Sequence, residues 1–259
     1  MPLLDHARFD PTDQWGGFLS TWAVEIMRRL NTDILPTRFK ARPNLHLGVR
    51  AEVDIGALEQ VQAGSLFDGT NGHDDGGGTA VATAAPVYAP PRAALSAEVL
   101  FSETELFEVR VFRGPADWRL VAAIELVSEG NKDRDAARRA FAIKTGSYLQ
   151  SGVSVVVVDI VPDRPADLHG DLCDLLGLPD GFRWASPTGL SAVCYRAVQG
   201  AARPGVAVGD GRVRLDVWPH PLSVGAALPT VPLWLSAGLA VPLELEPTYA
   251  AACRSLRIG

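Results

Sequence analysis

The sequence predicts an α/β fold on a mixed sheet, and three segments predict it. Residues 105–127 read as a hairpin: ELFEVRVF alternates, RGPAD supplies the turn, and WRLVAAIELV continues as an apolar strand. Residues 134–151, RDAARRAFAIKTGSYLQS, read as a helix ended near Gly152. The run VSVVVVDIV is continuously β-branched, the pattern of a strand buried on both faces. Strand, helix, strand in that order is a βαβ unit, so its two strands should run parallel with a right-handed crossover.

Before this unit, residues 15–31 (WGGFLSTWAVEIMRRLN) carry Phe18, Trp22, Ile26, Met27 and Leu30 at helical spacing. Pro36 stops the helix. Residues 44–58, NLHLGVRAEVDIGAL, alternate as one or two strands. Residues 61–92 change character, with a triple glycine and a Pro-Pro pair, and read as a flexible insertion. No Lys-Ser/Thr follows the glycines, so this is no phosphate loop. After the unit, DLHGDLCDLLGLP reads as a short helix and LSAVCYRAVQG as a strand. Prolines 229, 232 and 242 forbid a long helix before about residue 245. Extended pieces packing on the core and a last helix over 246–255 are expected there.

The 259 residues are 47% hydrophobic and 21% charged, enough for a sizeable core. Cys173, Cys194 and Cys253 form no CxxC pair and no zinc spacing, and an odd count suits a reducing compartment. The first fifteen residues lack the charged start and apolar run of a signal peptide. No window reaches the roughly 18 apolar residues of a membrane span. These features predict a cytoplasmic protein with no membrane partner. A net charge of −6 is not that of a general polyanion binder, although a local groove can still be basic.

Glu125 is the most informative residue. It interrupts the apolar strand AAIELV, where a carboxylate needs a partner. Lys132, Lys144, a metal or solvent at the strand end are all open to it. The helix of a βαβ unit packs back over its sheet, so Lys144 can reach toward Glu125; Tyr148, four residues on, shares its face. Asp54 lies between Val53 and Ile55, on a strand where Asp is disfavoured or in a turn before Gly56. Glu108 is a rival carboxylate that the alternation of ELFEVRVF equally points to solvent. His46, His169 and His220 suggest structural roles, and no Ser-His-Asp order or nucleophile elbow is present. Arg138 and Arg139 form a small basic patch or a solvated helix face.

The stretch IELVSEGNKDRDAARRAFAIKTGSYLQSGVSVVVVDIV resembles a bacterial family, domain-of-unknown-function family 4058. Glu125, Ser128, Asn131, Lys132, Phe141, Lys144, Ser151, Gly152 and Asp159 carry the resemblance, with Phe141 where the family has Tyr. VRAEVDIGAL and the Pro-rich tail extend it, although Val53 replaces a proline. That family looks like a distant branch of the PD-(D/E)XK nuclease-like superfamily, alongside Uma-two-type endonucleases. The resemblance implies one domain with a restriction-endonuclease-like core over about 15–165 and a C-terminal extension, 166–259, packed on it. It implies an Asp and a Glu on adjacent strands holding Mg²⁺ or Mn²⁺, here Asp54 and Glu125. A lysine assists, and since Val127 stands where the superfamily places it, Lys144 or Lys132 takes that role. Glu25 resembles a further carboxylate of some members. The implied function is a metal-dependent phosphodiester hydrolase acting on nucleic acid. The alternative is a catalytically silent nuclease-like fold that binds a protein partner.

Overall fold

The structure is a computed structural model that describes residues 2–5, 15–46, 106–114, 118–162, 164, 166–199 and 213–258. Asp54 and the 61–92 insertion lie outside the described residues, as does the larger part of the strand expected over 44–58.

The chain opens with α1 (Trp15–Arg29), which buries Trp15, Phe18, Leu19, Trp22, Ala23 and Ile26 along one stripe. A π-helical turn over Leu30–Ile34 follows, and the chain turns extended at Leu35. Proline 36 explains that change, because it disfavours helical backbone in the residue before it. Strand β1 (Phe39–His46) begins five residues ahead of the expected strand. Phe39 and Ala41 are buried there while Lys40 and Arg42 are exposed, a period-two pattern that the charges and Pro43 disguise. Pro43 is tolerated because, among the described strands, β1 pairs with one neighbour alone.

Strands β2 (Leu106–Arg113) and β3 (Arg119–Leu126) form the expected hairpin, with a bulge between Val111 and Phe112. A short helix α2 (Glu129–Lys132) and the long α3 (Asp135–Gln150) lead to β4 (Ser154–Asp159), which lies parallel to β3. Between α3 and β4 the chain reverses at Gly152, whose φ of 75° suits glycine. Helix α4 (Leu168–Leu176) is capped by the Asp167 carboxylate on the Gly170 N–H and ended by Gly177 in the left-handed region. Strands β5 (Ser191–Gln199) and β6 (Val213–Pro221) complete a six-stranded sheet ordered β1 to β6, mixed because β3 and β4 run parallel. A separate hairpin, β7 (Thr230–Ser236) and β8 (Leu239–Glu244), runs into α5 (Leu245–Ser255). The C-terminal third thus supplies two strands of the main sheet as well as a hairpin and helix packed on it.

The two sheet faces differ. Val109, Ile124 and Val156 are cross-strand neighbours on one face. There α1 covers β1 and β2, and β7 covers β3, β4 and β5. Helix α5 locks onto α1: the Trp22 indole donates to Thr248 Oγ1 at 3.1 Å, and Phe18 and Trp22 both meet the Tyr249 ring edge-on. Glu108, Glu125 and Val157 lie on the other face, which α3 covers over β4 and β5. All six residues of β4 are buried, as a strand covered on both faces requires. Among the described residues no helix is long and apolar enough to cross a membrane.

Candidate active site

The sheet register sets Asn44, Glu108, Glu125 and Val157 in one transverse row across β1, β2, β3 and β4. Glu108 and Glu125 are therefore direct cross-strand neighbours, pointing the same way. Glu108 is 0% exposed and Glu125 2%. Two carboxylates side by side inside a fold are costly, both in desolvation and in mutual repulsion.

Lys144 offsets part of that cost. It descends from α3 and places its ammonium 2.6 Å from Glu125 Oε1, 2.8 Å from Glu125 Oε2 and 3.4 Å from Glu108 Oε2. Glu108 Oε2 also meets Arg110 Nε and Asn44 Nδ2, each at 3.2 Å. The Tyr148 hydroxyl is a further hydrogen-bond partner of Glu108. Burial first, then the charge of Glu108, pushes the Glu125 pKa up to about 7, against the opposing pull of Lys144. The Tyr148 ring lies 5.8 Å from the Lys144 ammonium, and burial and the two carboxylates push its hydroxyl pKa up. The pair is roofed by polar side chains, and the side chain of Lys144 keeps 27% of its surface open.

Of the residues singled out in the sequence, the structure joins Glu125, Lys144 and Glu108, with Tyr148 beside them. Lys132 turns elsewhere. Its ammonium pairs with Asp159 at 2.9 Å and donates to the Val161 carbonyl at 3.0 Å. The turn before it is held by Asn131 Oδ1, which accepts the Ser128 N–H at 2.9 Å. Glu25 lies on α1 in a surface pair with Arg28 at 2.8 Å. Arg138 is likewise engaged, by Asp135 and Asp171.

Glu108 is the member whose place the alternation left open. The hairpin alone does not find it: counting outward from the Arg113–Arg119 pair sets Glu108 opposite Ile124, and the bulge between Val111 and Phe112 moves it opposite Glu125. On the same face, toward the turn, Arg42 stacks over Phe112 and over Trp118, each at 5.6 Å. Trp118 is 41% exposed, so a cation flanked by aromatic rings faces solvent near the acidic pair.

Among the described residues no three acidic, histidine or cysteine side chains gather into a metal-binding group. Two buried carboxylates directly opposite each other on adjacent strands nevertheless offer the hard oxygen donors that a divalent cation retaining several waters prefers. Comparison of the chain with protein-family models, with curated proteins and with solved structures returns no match.

Proposed function

We propose that the chain is a divalent-cation-dependent phosphodiester hydrolase with Glu108 and Glu125 as its acidic pair and Lys144 as its assisting cation. The observation that carries this reading is the pair itself: two buried carboxylates set directly opposite each other on adjacent strands. A fold gains nothing in stability from such a pair, and strongly perturbed carboxylates cluster at reactive sites. The order helix, three antiparallel strands, helix, parallel strand over α1 to β4 supports a restriction-endonuclease-like core. Glu108 stands on the strand next to Glu125, meeting the requirement for which the sequence offered Asp54.

Glu108 and Glu125 would hold Mg²⁺ or Mn²⁺, which supplies Lewis-acid polarisation of a phosphoryl oxygen when bound. Lys144, leaning on both carboxylates from the open side, offers its charge to the phosphoryl oxygens as negative charge builds up there. Arg42 with Phe112 and Trp118 suits a nucleic-acid strand, by a phosphate contact and base stacking.

A silent fold with a structural charge cluster is the second reading. It is favoured by the Lys144 ammonium standing between the two carboxylates, where it already neutralises them. Thermal melts with and without about 1 mM Mn²⁺, on wild type, Glu108→Gln and Glu125→Gln, separate the two. A site with a dissociation constant near 10 μM should stabilise wild type by roughly 2.7 kcal/mol and neither variant. Hydrolysis of single-stranded DNA in Mn²⁺ should then be lost in both variants. A wild type without Mn²⁺ shift or hydrolysis supports the silent fold.

A further inference from the structure

A second recess lies on the same sheet face, between α3, α4 and strands β4 and β5. Its volume is about 290 Å³, at the small end of the ~300–1,000 Å³ of small-molecule pockets. Phe141, Val157, Leu172 and Val193 give it apolar walls, and Trp184 stands at its side. Val157 is the cross-strand neighbour of Glu125, and Thr145, also in the lining, follows Lys144 in α3.

Three features describe what fits. First, the lining contains no lysine or arginine; its Asp159 carboxylate is spent on Lys132 and the Val161 N–H, while Asp167, whose Oδ1 caps Gly170, keeps Oδ2 for a ligand. An anionic ligand is disfavoured there, and a hydrogen-bond donor is favoured. Second, the polar groups deepest in the fold are committed. His169 Nε2 is 2.8 Å from the Phe182 carbonyl, so that nitrogen carries the proton. His169 Nδ1 then accepts from the Tyr195 hydroxyl at 2.8 Å, which makes these two rings a fixed wall. Third, Thr145 is not committed. It is 1% exposed, it lines the recess, and its hydroxyl has no hydrogen-bond partner. Most buried threonines on helices satisfy that hydroxyl within the preceding turn. Leaving it bare costs stability that valine would not.

We propose that this recess binds a small, uncharged, amine-bearing heteroaromatic ring of nucleobase size, with the Thr145 hydroxyl and the Asp167 carboxylate as its hydrogen-bonding groups. The apolar and aromatic walls take the flat faces of the ring. Thr145 can both donate to and accept from ring nitrogens, and Asp167 Oδ2 receives the exocyclic amine. The proposal needs no hydrolysis at the acidic pair and stands or falls apart from it.

Calorimetric titration of the full chain with adenine tests it, with hypoxanthine, which has a carbonyl in place of the amine, as the contrast. Adenine should bind wild type and hypoxanthine should bind more weakly. Thr145→Val should weaken adenine roughly tenfold, the value of about one hydrogen bond, while leaving the free protein's Tm unchanged or higher. Thr145→Ser should retain binding. Absence of adenine binding to wild type overturns the proposal, as does equal binding of hypoxanthine. So does a Thr145→Val protein that folds and binds adenine as tightly as wild type.

Discussion

The chain buries lysine–carboxylate contacts in two places on one βαβ unit, and they are built to opposite ends. Around Lys132 everything is closed. The Lys132 side chain is 1% exposed, Asp159 accepts from Lys132 at 2.9 and 3.3 Å and from the Val161 N–H at 3.1 Å, and Lys132 also donates to the Val161 carbonyl. One charge meets one charge, and each carboxylate oxygen has a partner. Around Lys144 the arrangement is different: two buried carboxylates stand side by side at one part-exposed ammonium, with Arg110 and Tyr148 also on Glu108. A buried ion pair repays its desolvation only when its remaining hydrogen bonds are made. The first site meets that condition and acts as a clasp between α2 and the end of β4. The second sets two like charges side by side, and the proposed hydrolysis rests on that arrangement.

The largest test of this contrast is to delete each lysine. Lys132→Met leaves Asp159 buried without its counter-charge and should cost about 3–5 kcal/mol. Lys144→Met should cost about 1 kcal/mol, because that side chain is part-exposed and Glu125 can take up a proton instead. Denaturant unfolding of both variants checks it; equal losses would remove the distinction between the sites.

A smaller effect follows from Glu125, which titrates ordinarily near 4.5 and in the fold near 7. Between those values the folded chain keeps a proton that the unfolded chain has released. Its stabilising contribution is complete below about pH 4.5 and is lost as pH rises through about 7. Glu125→Gln abolishes the dependence, so the stability difference between variant and wild type should move in the variant's favour by up to about 3 kcal/mol across that window. A difference independent of pH would mean that Glu125 ionises as an ordinary carboxylate. The smallest effect belongs to Asn44→Ala. Removing one of several donors to Glu108 should cost about 1 kcal/mol or less by denaturant unfolding, and a larger loss would make Asn44 part of the scaffold.

Much of this arrangement could be read in the sequence, because the βαβ unit is written in local patterns. The alternating hairpin, the helix ended at Gly152 and the continuous valine run each determine their own geometry, and together they bring Lys144 over Glu125. Glu108 was harder to read. Alternation tells which residues share a face but not whether that face meets water, and at Glu108 the Lys144 and Tyr148 side chains reaching over from α3 decide it. Lys132 was ambiguous for the same reason: a loop lysine one turn past Glu125 reaches β4 as readily as β3, and the Ser128–Asn131 turn aims it at Asp159. Strand β1 was hidden by Lys40 and Arg42, which occupy the open half of a face whose other half is covered.

The lock between α1 and α5 governs the order in which the protein can be finished. In the main sheet each strand lies beside its neighbour in sequence, so hairpins and the βαβ unit can assemble as they leave the ribosome. Phe18 and Trp22 cannot complete their packing until Thr248 and Tyr249 have been made, the indole reaching across 226 positions. At about 5–20 residues per second, that apolar stripe waits on the order of ten seconds or more during synthesis. The nascent chain can lay this helix on β1 and β2 once they are made, but the part of its aromatic stripe that meets α5 stays open until α5 emerges.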